Sequence, residues 1–511
     1  MERLSKQINK TDRIAFVVAM VSGVLTHLYA LANKLPTFDD LMCLNSFGGG
    51  LSLGRWGLEI LGLAKHKLFG NYSTPSINGL LTIFFVAVAA VLLCRLLEIQ
   101  NRMDVVITSV LLTVFPVITG YMTFVYTAYY YCFALDVMLV GLYFIKNRAS
   151  ATGLVLGAIL IGVSVGIYQA YLPFAITLLL CLLLLMTIRE EKPTIVVKEG
   201  VAYLVTIMGS LLLYFVVNSV LQAVTGIKMS AMKGGERVGS VLLDKKLGII
   251  PYIYASFLKL ISENYYGITG KNWLRVGMVL LLLITVLLMV YLIVKSFQQK
   301  KRGIAWLQIL IAVLLPLALH SLYAMVEEQY FYTLMLYTDV MLFIIPVMLL
   351  EHVDLQQRVG IITKGIVGVI LVYASILYMV QANATYLQMD LGLSAAKSYY
   401  TTLITQIKSV DNYNPDYPVV IVGHVDDPTI FDLHNAYFND VEIGGAYGSS
   451  EAVKGMYIDL FLKQYCGYDQ NVTTDAREVN REVLQEMKCY PQMGSIQVLK
   501  NRIIVKLSDD Y

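Results

Sequence analysis

Long apolar runs recur through the first three quarters of the chain, separated by short polar stretches. A hydrocarbon core of about 30 Å is crossed by roughly 20 helical residues. Runs with few or no charges lie near 14–33, 74–94, 105–122, 128–145, 151–168, 171–188, 201–222, 276–294, 304–323, 331–350 and 365–382. On the usual window criterion they predict about eleven transmembrane helices. The block 105–135 carries no charge and must hold more than one element. The block 149–188 is most simply a hairpin turning at Tyr168-Gln169-Ala170-Tyr171-Leu172-Pro173.

After about residue 383 the pattern changes. Residues 384–410 are polar enough for a surface helix leading off the last span. Pro418-Val419-Val420-Ile421-Val422-Gly423 reads as a buried strand bounded by turn residues. Residues 451–467 and 474–489 have helical apolar spacing, and 494–508 reads as a hairpin about Lys500-Asn501-Arg502. The expected organisation is a membrane domain over 1–382, with long loops at 34–73 and 223–275, and a small α/β domain over 383–511. A domain of about 110–125 residues is of ordinary size.

Lys and Arg in the short loops set the expected orientation. Arg3, Lys6, Lys10 and Arg13 precede the first run, and alternate connections carry Arg95 and Arg102, Lys146 and Arg148, Arg189, Lys192 and Lys198, Lys295 to Arg302, and Arg358 and Lys364. The short loops on the other side, near 122–130, 168–172 and 324–330, have none. This predicts a cytoplasmic N-terminus, with the 34–73 loop and the tail extracytoplasmic. The first run reads as a retained span, because it is long and no small-residue cleavage pattern follows it.

Composition agrees with this class. Of 511 residues, 57% are hydrophobic and only 15% charged, against roughly 25% charged in soluble domains. The net charge of +3 is too small to suggest nucleic acid as a partner. The 35 tyrosines suit membrane interfaces or surfaces on which sugars stack. Of the six cysteines only Cys466 and Cys489 fall in the tail, where a disulfide and two free thiols are both open. His424 with Asp426 and Asp427 reads as a turn after a strand rather than a metal cluster.

Candidate chemistry concentrates in the predicted outer loops. The stretch 36–56, PTFDDLMCLNSFGGGLSLGRW, sets Asp39 and Asp40 just past the first run and Gly54-Arg55-Trp56 further on. Adjacent carboxylates point in different directions, so they do not form an acid/base pair facing across a bond. One of them suits a lone general base, and a helix cap or solvated pair is the competing reading. Arg55, with Lys271 or Arg275 at the end of the 223–275 loop, could hold an anionic phosphate. Trp56, Tyr168, Gln169 and Tyr171, and Glu327, Glu328, Gln329 and Tyr330, supply the aromatics, amides and acids that bind sugar faces and hydroxyls. An interface tyrosine belt is the blander account of either turn. Residues 241–267 alternate basic and apolar positions and read as an interfacial helix or a lid on the bundle. Asp136, Asp339 and His320 are ionisable residues within spans.

With Phe38-Asp39-Asp40, Gly54-Arg55-Trp56 and Tyr168-Gln169-Ala170-Tyr171 so placed, the membrane part, roughly 10–380, resembles the glucosyltransferase II-like proteins of O-antigen modification, within the GT-C class. The resemblance implies an inverting transfer of a sugar, glucose in that family, from a polyprenyl-phosphate donor to a glycan outside the membrane. It also implies a first-loop aspartate as base, a GT-C-like helical bundle and a soluble outer domain. It specifies no cofactor and leaves participation of a divalent metal open. The alternatives are a transporter or flippase of lipid-linked glycans, which should show internal repeats and helices broken at mid-membrane, and a sensor that leaves Asp39, Asp40 and Arg55 unexplained.

Overall fold

The structure is a computed structural model that describes residues 9–35, 37–42, 50–70, 72–148, 150–229, 248–262, 272–326, 333–425, 456–477 and 479–509. Its helices are α1 (Lys10–Ala32), α2 (Phe38–Met42), α3 (Trp56–Phe69), α4 (Pro75–Leu97), α5 (Arg102–Val114), α6 (Pro116–Thr123), α7 (Ala128–Lys146), α8 (Ala151–Ile167), α9 (Leu172–Ile188), α10 (Pro193–Thr225), α11 (Ile249–Ser262), α12 (Asn272–Gln298), α13 (Arg302–Leu319), α14 (Met341–His352) and α15 (Gln357–Lys408). Among the described residues nine helical stretches are long and apolar enough to cross a bilayer, which makes this a polytopic membrane protein. The apolar runs near 151–168 and 331–350 form the shorter α8 and α14. In the second of these, 3₁₀ turns at Thr333–Met335 and Tyr337–Val340 take up residues before the helix begins. The block at 105–135 divides at Pro116, which has no N–H to donate and pushes Phe115 out of helical geometry (ψ 137°).

The short connections make successive spans run antiparallel, and the two ends of the bundle differ in chemistry. At the end carrying the N-terminus, basic residues are paired across helices. Arg95 holds Asp12 at 2.6 Å, Lys146 holds Glu98 at 2.7 Å, and Arg189 also meets Glu98. Arg148 with Glu199 and Lys301 with Glu190 continue the pattern. Lys146 additionally donates to the Arg95 and Leu96 carbonyls, closing the last turn of α4. The opposite end gathers tyrosines, glycines and the turns at 50–55 and 168–171.

α15 joins the expected last span and the expected surface helix into 52 continuous residues, a rod of about 78 Å at 1.5 Å per residue. Its C-terminal half is the backbone of the C-terminal unit. There β1 (Val419–Val422), the helix α16 (Met456–Cys466), β2 (Val472–Thr473), the helix α17 (Arg481–Glu486), β3 (Ile496–Leu499) and β4 (Arg502–Lys506) complete an α/β fold. The sheet order is β2-β1-β4-β3, with β1 parallel to both neighbours and β3-β4 an antiparallel hairpin. All four residues of β1 are buried, as their uninterrupted apolar run requires. Gly423 is left-handed (φ +80°), and a Cβ there would lie 2.5 Å from Ser508 Oγ.

The helix expected over 474–489 is confined to α17. Upstream, Asp475 accepts from the Arg477 backbone and guanidinium, a local turn that competes with helix formation. The strand at Val472-Thr473 carries no sequence signal of its own. Cys466 and Cys489 are not joined to each other by a disulfide. α11 packs on the bundle through Ile253, Phe257 and Leu260. Of the metal reading at 424–427, Asp426 and Asp427 lie outside the described residues. Among the described residues no group of three or more His, Cys, Asp or Glu side chains could hold a metal ion.

Candidate functional site

Glycine and glutamine fix the turn that precedes α3. Arg55 N donates to Gly50 O at 2.9 Å, and Glu59 reaches back to accept from Gly50 N at 2.8 Å. Gly54 takes a left-handed φ of +70°, and a Cβ there would meet Tyr214 Oη at 2.7 Å and Gln169 Nε2 at 3.3 Å. Gln169 Nε2 donates to Leu53 O at 2.9 Å and lies 3.3 Å from Tyr214 Oη. Two stretches separated by more than a hundred residues, Gly54-Arg55-Trp56 and Tyr168-Gln169-Ala170-Tyr171, are therefore one local structure.

Its centre is Arg55. The guanidinium donates to Tyr131 Oη at 2.8 Å and lies 5.7 Å from the Tyr131 ring centroid and 5.3 Å from that of Tyr168. The two rings stack on each other at 4.0 Å. Such cation–π contacts contribute on the order of 0.5–2 kcal/mol each. Burial alone would draw the guanidinium pKa down, but the surrounding oxygens of Tyr131, Tyr168, Tyr126 and Tyr214 outweigh it, so the charge is kept. Among the described residues no carboxylate pairs with Arg55, and its buried Nε has no hydrogen-bond partner. A cation held by aromatic groups and amide-braced backbone, with donor capacity unspent, is suited to an anion.

Beneath it the tyrosines are packed rather than displayed. Tyr168 and Tyr171 are each 1% exposed. Tyr168 Oη donates to Leu334 O at 2.9 Å, and Tyr171 Oη shares a 3.0 Å hydrogen bond with Tyr121. Trp56 is buried as well, its ring against Gly166 of α8, where a Cβ would come within 2.3 Å. These three rings build the wall that carries Arg55. Over-filling a packed site costs about 1–3 kcal/mol. Gly166→Ala is accordingly expected to lower the melting temperature of the purified protein; unchanged melting would show that Trp56 has room to move.

Asp39 and Asp40 sit on α2, and the structure separates them. Asp40 is fully buried. Its Oδ1 accepts from Lys34 Nζ at 3.2 Å, while Oδ2 accepts from Thr37 N at 3.2 Å and Thr37 Oγ1 at 3.3 Å. Thr37 Oγ1 in turn accepts from Asp40 N at 3.4 Å, completing a reciprocal capping box. Burial pushes the Asp40 carboxyl above the usual range, and Lys34 and Thr37 offset this only in part. Asp39 is buried as well, with 8% of its surface exposed. The last residue of α2 but one, Leu41, is 1% exposed and belongs to the apolar cluster of the C-terminal unit, with Tyr400, Phe461 and Leu462. Burial of a leucine contributes about 1.5–3 kcal/mol.

Of the other expected residues, Arg275 is exposed in the first turn of α12, at the same end of the bundle. Lys271, Glu327, Glu328, Gln329 and Tyr330 lie outside the described residues. Within the spans His320 Nε2 is 3.4 Å from Asp339 Oδ1, and its Nδ1 is 3.1 Å from Ser256 Oγ. Asp136 is buried, with Oδ1 lacking a hydrogen-bond partner. Sequence reasoning missed Tyr131 and Tyr214. The Tyr129-Tyr130-Tyr131 run at the start of α7 was the available signal for the first, and nothing distinguishes Tyr214 within its apolar helix.

No curated protein and no solved structure matches the chain. The family model described as glucosyl transferase GtrII matches residues 28–343, a stretch that runs from the end of α1 to α14 and so contains α2, Arg55 and the tyrosine wall. The expected likeness to glucosyltransferase II-like proteins thus holds: the chain belongs to the GtrII glucosyltransferase family.

Proposed function

We propose that the protein is an inverting glucosyltransferase that moves glucose from a polyprenyl-phosphate donor to a cell-surface glycan on the outer side of the membrane. The observation that carries this reading is Arg55, a charged group in a tyrosine cage with no carboxylate partner among the described residues. On this reading it holds the donor phosphate, and Arg275, with Lys271, serves the same anion from the first turn of α12 and the loop before it. Asp39 removes the proton from the acceptor hydroxyl. The acceptor oxygen then forms its bond to the sugar's anomeric carbon as the bond to the phosphate oxygen breaks. The polyprenyl phosphate leaves as a stable anion, so no strong general acid is required. Gln169 and residues 327–330 are the remaining candidates for sugar hydroxyls, while Trp56, Tyr168 and Tyr171 act by supporting Arg55.

Residues 1–382 carry the reaction and 383–511 form an extracytoplasmic unit. Basic residues gathered at the bundle end opposite Arg55 favour that orientation. In right-side-out vesicles holding the purified protein, glucose from polyprenyl-phosphoglucose is expected to reach an acceptor supplied outside. Nucleotide-glucose should give no product. Transfer from nucleotide-glucose alone, or only to an acceptor trapped inside, would overturn the reading.

A further inference from the structure

We infer that the C-terminal unit is a positioning device for α2, so that Leu41 and Gln464 set the aim of the base; this rests on the reading of Asp39 given above. A helix of five residues has too few hydrogen bonds to persist alone. α2 is held at its start by the Thr37–Asp40 capping box and the Lys34 ion pair, which tie it to the chain leaving α1. Its other end is held by the tail. Gln464 Nε2 donates at 3.0 Å to the Leu41 carbonyl, one of the terminal acceptors that a helix leaves without an internal partner. The Leu41 side chain enters the cluster formed by α15, α16 and the sheet.

The support is continuous. α15 runs unbroken from the bundle into the tail, and its Leu393, Ala396, Tyr400 and Leu403 pack in the same cluster as Phe461 and Leu462 of α16. α16 in turn carries Gln464. Asp39 lies two positions before Leu41, so a tilt of α2 moves its carboxylate. A misplacement of about 1 Å can cost roughly 100-fold in rate.

The test uses the full chain with Gln464→Met, which removes the donor at similar size, Leu41→Ala, and Leu41→Met as the volume-restoring control. Gln464→Met and Leu41→Ala are expected to lower kcat about 10- to 100-fold, with KM for polyprenyl-phosphoglucose unchanged and Leu41→Met near the wild-type rate. Placed in an Asp39→Asn background, neither should slow the residual rate further, because both act through that carboxylate. Wild-type kcat in folded Gln464→Met and Leu41→Ala beside an inactive Asp39→Asn would overturn the positioning role and leave the base assignment standing. The same fold-loss with and without Asp39 would overturn it too. A normal rate in Asp39→Asn alone would instead remove the base and, with it, the object being positioned.

Discussion

Asp39→Asn is expected to reduce glucosyl transfer about 10²–10⁴-fold, the usual effect of losing a general base, while polyprenyl-phosphoglucose binding stays near wild type. The amide keeps the size of the carboxylate and accepts hydrogen bonds but takes no proton from the acceptor. Asp40→Asn provides the contrast. Both Asp40 oxygens are engaged by Lys34 and Thr37 on a fully buried side chain, and its replacement should act through the stability of α2. An asparagine oxygen can still accept from Thr37 N, and Lys34, 21% exposed, regains water. The expected result is a modest loss of melting temperature with transfer largely retained. The measurement is transfer of labelled glucose by each purified variant, with a melting curve beside it. Equal, near-normal rates in both variants would reject a carboxylate base in this loop.

Arg55→Ala should weaken use of the lipid-phosphate donor by about 10- to 100-fold, the equivalent of one hydrogen bond to a charged group. The loss should fall on KM for the donor and leave the fold in place. Truncation gives up two contacts with aromatic rings, but it also removes a buried Nε that has no partner. Arg55→Lys should lie between the two, since it keeps the charge and loses the planar fork. Donor titration at saturating acceptor checks this. An unchanged KM in well-folded Arg55→Ala would make the residue a brace for the 50–56 turn.

How far the chain could be read depends on the range of each interaction. Nine of the eleven expected spans and the four-residue strand β1 were legible because hydropathy and its period are local properties. The 3₁₀ turns before α14 were not, because the run 331–350 is apolar throughout and helical and non-helical apolar segments look alike in sequence. Thr37 and Asp40 have the three-residue spacing of a capping box, yet the same spacing admits a catalytic aspartate, and the sequence alone does not tell the two apart. The meeting of Gly54 with Gln169 and Tyr214, and the insertion of Leu41 beside Tyr400 and Phe461, join residues far apart in sequence. No pattern within either segment announces its partner.

The proposed transfer is one displacement at the anomeric carbon, with the acceptor hydroxyl activated by Asp39 and the phosphate leaving toward Arg55. The configuration of the newly formed linkage tests this most directly, read from the anomeric coupling in the NMR spectrum of product made by the purified protein from a polyprenyl-phosphoglucose of known anomer. Inversion is predicted, because a deprotonated hydroxyl attacks the face opposite the leaving phosphate. Retention would contradict it, since two successive displacements require a side chain that bonds covalently to the sugar, and Asp39 would then be a nucleophile or no part of the reaction.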